Sequence, residues 1–77
     1  MEPLEPLQSA VLSEIRRLGT ECGRVQIDAE RGAVIVDDLT AEWDAATALV
    51  AALRRARLDI VVQKANPGYR FLVYAQR

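Results

Sequence analysis

Seventy-seven residues leave room for one hydrophobic core, and a chain that is 51% apolar and 27% charged has the balance of a folded domain. That balance excludes intrinsic disorder, collagen-like repeats and disulfide-rich scaffolds. Ten basic against eleven acidic side chains give a net charge of −1, which as a total speaks against a dedicated nucleic-acid or polybasic membrane binder.

The first six residues, Met1-Glu2-Pro3-Leu4-Glu5-Pro6, have neither the basic start nor the apolar stretch of a signal peptide. A cytoplasmic protein is expected. Pro6 suits the first position of a helix and disfavours helical backbone at Glu5, so a helix is predicted from Pro6 onward. Leu7, Val11, Ile15 and Leu18 fall on one face of it, and Gly19 follows as a left-handed terminator, with Arg16 and Arg17 near the negative end of the dipole. Arg24 to Asp28 then alternates polar and apolar residues, as a half-buried strand does. Ala29-Glu30-Arg31-Gly32 connects it to the β-branched run Ala33-Val34-Ile35-Val36, and the pair reads as a hairpin.

Asp37-Asp38-Leu39-Thr40 reads as a turn in which Asp38 or Thr40 caps a second helix of about 17 residues. Trp43, Ala46, Val50, Leu53 and Arg57 form its main stripe, with a thin stripe of Ala41, Ala45, Ala48 and Ala52 beside it. Ile60 to Lys64 and Tyr69 to Ala75 follow as strands, joined through the turn residues Asn66-Pro67-Gly68. In the last strand Tyr69, Phe71, Val73 and Ala75 point one way while Leu72 and Tyr74 point the other. The longest nearly apolar run, Ala45 to Leu53, is far too short to span a bilayer.

The predicted order is α-β-β-α-β-β, two helix-hairpin units at about 5–37 and 38–77 within one α+β domain. A two-layer sandwich follows: a four-stranded, mainly antiparallel sheet with both helices on one face. The other face of the sheet then carries large apolar groups with nothing predicted to cover them, which marks a partner site. Val61, Leu72 and Tyr74 are the candidate protein-binding residues.

Charge is unevenly divided. Residues 1–44 hold ten acids against four arginines, a net of −6, whereas residues 45–77 hold one acid against six bases, a net of +5. Arg54, Arg55, Arg57, Lys64 and Arg70 are therefore candidate phosphate contacts, with Tyr69, Phe71 and Tyr74 as stacking surfaces for bases. The same arginines also serve simply as favourable charges at a helix C-terminus, and the aromatics as core. Acidic and basic halves of two chains can also attract one another. Gly68 to Tyr74 resembles the aromatic strand of the RNA recognition motif over seven residues. Pro67 and Arg70 depart from that pattern, and the family's β-α-β-β-α-β order differs from the one predicted, so membership is not inferred.

Catalytic signatures are sparse. The chain has no histidine and a single cysteine, Cys22, so the commonest general base, internal disulfides and Cys-rich metal sites are excluded. Asp37, Asp38, Glu42 and Asp44 lack the spacing and central glycine of a calcium loop. Glycine-rich phosphate loops and a Gly-flanked serine are likewise missing. The expectation is a non-catalytic protein-protein interaction or regulatory module without metal or cofactor, homodimeric through the sheet face or an edge, and not membrane-bound. A nucleic-acid-binding accessory domain is the alternative.

Overall fold

The computed structural model describes residues 4–20, 23–39, 43–65 and 68–75, with residues 38 and 39 as backbone. Its elements are α1 (Glu5–Leu18), β1 (Arg24–Asp28), β2 (Ala33–Leu39), α2 (Trp43–Arg55), β3 (Leu58–Lys64) and β4 (Tyr69–Ala75). The strands pair in the order β1-β2-β4-β3, antiparallel throughout. Each hairpin thus contributes an edge strand and an inner strand, and the two hairpins meet where β2 pairs with β4.

Helix α1 lies against β1 and β2, α2 lies against β3, and the helices touch each other. Both cover the same face of the sheet, as the pattern predicts. One core results, with Leu7, Val11 and Ile15 from α1, Ala46, Leu49 and Leu53 from α2, and Val34, Val36, Leu58, Phe71 and Val73 from the strands. Fully burying an aliphatic or aromatic side chain of this size contributes about 1.5–3 kcal/mol, so this cluster is the main source of stability. On β1, Val25 is half-buried against the core, and the Gln8 side-chain amide donates to the Val25 carbonyl at 3.0 Å, tying α1 to that strand.

Several boundaries differ from expectation. Helix α1 takes in Glu5, with Pro6 second, because N–H groups of a first turn have no intrahelical acceptor and the missing proline donor costs nothing there. Leu18 is exposed and stands outside the core cluster, at the very end of α1. Asp37 to Leu39 is strand, where a turn was expected. The β2–β4 register shifts between Val36 and Leu39, so an irregularity accommodates the two acids while pairing resumes at Leu39 and Tyr69. Thr40, Ala41 and Glu42, and with them the proposed Thr40 cap and part of the alanine stripe, lie outside the described residues.

Among the described residues helix α2 runs over 13, from Trp43 to Arg55, and so stops before Arg57. Because α2 meets both β3 and α1, its buried arc is broader than a single stripe and includes Leu49 and Ala52, whereas Val50 is only half-buried. Ala45 and Ala48 face solvent. Trp43, expected as the bulky anchor, is 53% exposed and packs its ring on Tyr69, with centroids 5.2 Å apart and planes tilted by 50°.

Both helices end through a left-handed residue. Gly19 has φ 67° and donates its N–H to the Arg16 carbonyl; Arg57 has φ 64° and donates to the Arg54 carbonyl in the same way. Arg57 therefore lies past the end of α2 and not on its stripe. Left-handed backbone costs a residue with a Cβ roughly 1–2 kcal/mol, and glycine escapes that cost. Arg57→Gly is expected to raise stability by about 0.5–1 kcal/mol in urea denaturation, the gain being cut by the larger unfolded-state entropy of glycine. Gly19→Ala should lower it by about 1 kcal/mol through backbone strain alone, since no atom lies within 4 Å of the added Cβ. An Arg57→Gly protein that unfolds at lower urea would refute this account of the α2–β3 link.

Candidate functional site

Strand alternation decides which side chains look away from the helices. On β4, Phe71 and Val73 enter the core, so Arg70, Leu72 and Tyr74 point outward. On β2, Val34 and Val36 enter it, leaving Ala33, Ile35 and Asp37 outward, and on β3 the outward residues are Asp59, Val61 and Gln63. Strand β1 contributes Arg24, Gln26 and Asp28.

The register arranges these residues in rows across the sheet. The central row runs Gln26, Ile35, Leu72, Val61, each opposite the next on the neighbouring strand. To one side Arg24 stands opposite Asp37, and the Arg70 guanidinium reaches Asp37, Nε donating to Oδ1 and Nη2 to Oδ2, both at 3.2 Å. Gln63 stands opposite Arg70 on β3. To the other side Asp28 stands opposite Ala33, and Tyr74 opposite Asp59. A short apolar band with polar residues above and below it crosses three strands.

The three candidate protein-binding residues are brought together here, though not as equals. Leu72 is only 4% exposed, shielded between Ile35 and Val61, and it supports the band more than it presents a surface. Val61 is 47% exposed and Tyr74 is half-buried. Val62 points to the helix side of the same strand, opposite Phe71, and is still 38% exposed. Sequence reasoning missed Ile35 as part of this surface and Val62 as an exposed residue on the helix side of its edge, because both depend on the order of the strands.

The basic residues are not gathered in the same way. Arg54, Arg55 and Arg57 are exposed at the end of α2, next to the start of β3. Lys64 stands at the other end of that seven-residue strand, about 20 Å away, and Arg70 is engaged with Asp37 on the outer face. Of the acidic residues singled out, Asp37 has that partner, the side chain of Asp38 is not described, and Glu42 and Cys22 lie outside the described residues. Among the described residues no group of three or more His, Cys, Asp or Glu is placed to hold a metal ion. No helix among them is long and apolar enough to cross a membrane.

Leu72→Ser is expected to lower unfolding stability by about 2–4 kcal/mol in urea titration, as truncation of a buried leucine does, whereas Tyr74→Ser should cost less than about 1.5 kcal/mol. Equal costs at the two positions would contradict the shielded setting of Leu72. No protein-family model matches the chain, and no curated protein or solved structure does so either.

Proposed function

We propose that this chain is a small non-catalytic protein-protein interaction module that works as a homodimer through the sheet face or edge that its helices leave open. One observation carries the reading: the sheet has helices on a single face, and its other face bears the apolar band Ile35–Leu72–Val61, extending to a strand edge where valines on both faces remain exposed. An apolar band that reaches an open edge is the usual mark of a surface that meets another protein. Small size points the same way. A domain of this length buries a modest fraction of its surface, and association adds burial that the monomer lacks.

Sedimentation equilibrium across a concentration series is the test. The weight-average mass is expected to rise from one chain toward two, with little dependence on salt, because apolar and backbone contacts are weakly screened. Strong weakening at high salt would instead favour attraction between acidic and basic halves. A protein that stays monomeric at every concentration and binds no partner would overturn the proposal.

A further inference from the structure

Resting on that reading, we infer that the second copy adds to the β3 edge, antiparallel to β3 and with the two-fold axis at Val61, so that two sheets join into one of eight strands. The two edges of the sheet are unlike. Strand β1 is five residues long, places Arg24, Gln26 and Asp28 outward, and has its Val25 carbonyl taken by Gln8 of α1. The central apolar row ends on it at a glutamine. Strand β3 is seven residues long, has no proline and no register shift against β4, and ends the same row at Val61, the row's most exposed apolar member. On the helix side, the row Val25–Val36–Phe71 likewise runs out to the edge, at the exposed Val62. Valines left exposed on opposite faces of one strand cannot both be covered by a partner lying on either face. A strand added alongside covers both.

The order of residues selects a second copy and its register. Leu58-Asp59-Ile60-Val61-Val62-Gln63-Lys64 is close to self-complementary about its centre. With the axis at Val61, that residue meets its own copy, Ile60 and Val62 meet each other, and Asp59 meets Gln63. All seven residues are paired, and the only apolar residue set against a charge is Leu58, opposite the aliphatic stem of Lys64 at the end of the strand. Moving the axis to Ile60 sets Asp59 against Val61. Moving it to Val62 sets Ile60 against Lys64 and Val61 against Gln63. Either move places apolar against polar near the centre and shortens or frays the pairing. In the favoured register the outer apolar row continues without a break through Leu72 and Val61 of one copy into Val61 and Leu72 of the next. Since the contact is one strand wide, affinity in the micromolar range is expected.

The experiment places a single cysteine in the full chain, in a Cys22→Ser background, and treats each variant with a short bismaleimide. Val61→Cys is expected to cross-link to a covalent dimer at least about tenfold faster than Tyr74→Cys, because residues facing across the new strand pair lie about 5 Å apart, whereas the two Tyr74 positions would be roughly 20 Å apart. Val61→Lys, which sets like charges on the axis, should abolish the rise in mass in sedimentation while keeping the circular dichroism spectrum. Preferential cross-linking at Tyr74→Cys, with a dimer that persists in Val61→Lys, would overturn edge pairing and leave face-to-face association standing. A chain that is monomeric throughout and cross-links at neither position would overturn both this inference and the homodimer on which it rests.

Discussion

The pairing of β2 with β4 is the constraint on which the remaining structure depends. Alone, each helix-hairpin unit has one helix to lay on two strands and too little apolar surface to offset its conformational entropy. Pairing through the inner strands sets Val34 against Val73 and Val36 against Phe71, and those four fully buried residues form the floor on which both helices sit. The same contact sets Ile35 against Leu72 on the opposite face. An inner strand has to be apolar on both sides over its central stretch, whereas an edge strand can alternate. The outer band is therefore a by-product of the feature that joins the two halves of the chain, and it could not be made polar without weakening the centre of the sheet.

Helix attachment makes the two ends of this pseudo-symmetric arrangement different. Five residues separate α1 from β1, and only Ala56 and Arg57 separate α2 from β3. The short link is closed by a left-handed arginine where the longer one uses glycine. It fixes the end of α2 beside Leu58, which is buried, while Val61 and Val62 further along β3 are left exposed. At the opposite edge α1 sends Gln8 onto the backbone of β1. One edge thus has a backbone carbonyl taken by the chain's own helix and bears one large exposed apolar residue, Ile27, whereas the other bears two, Val61 and Val62, on opposite faces, although both belong to the same kind of hairpin.

Much of this was legible in the sequence, and the limits have physical causes. Gly19, Gly32 and Gly68 marked a helix end and two turns, and all three have positive φ. The alternation in Tyr69 to Ala75 correctly separated core-facing from outward residues. The lack of alternation in Ala33 to Val36 was visible as well, but its meaning, an inner strand apolar on both faces, needs the strand order. Consecutive acids at Asp37 and Asp38 look like a turn because turns favour aspartate; here Asp37 is held in strand geometry by the distant Arg70, 33 residues along the chain. Leu49 falls outside the single stripe that Trp43 anchors, and its burial follows from the second packing neighbour of α2, which the spacing of one stripe does not reveal. The adjacency of Val61 and Leu72 follows from a hairpin register and was within reach of the sequence. The neighbourhood of Ile35 and Leu72 arises from a contact between the two halves and was not.

The division of charge also changes meaning in three dimensions. Taken along the chain, acids in the first part and bases in the second suggest two surfaces of opposite sign. In the fold, Arg70 crosses from the second hairpin to Asp37 of the first and joins them with paired hydrogen bonds, spending part of the separation within the molecule. Both residues are partly exposed, so this link contributes less than about 1 kcal/mol and orients the inner strands more than it stabilises them. Arg54, Arg55 and Arg57 stay beside the start of β3 and Lys64 at its other end, so the bases of the second half do not form one cluster. What remains concentrated is apolar: a row that starts at a glutamine on the β1 edge and ends at an exposed valine on the β3 edge. A surface whose apolar character increases toward an unpaired strand is suited to continuing the sheet, because the strand that supplies backbone hydrogen bonds also covers the side chains on both faces.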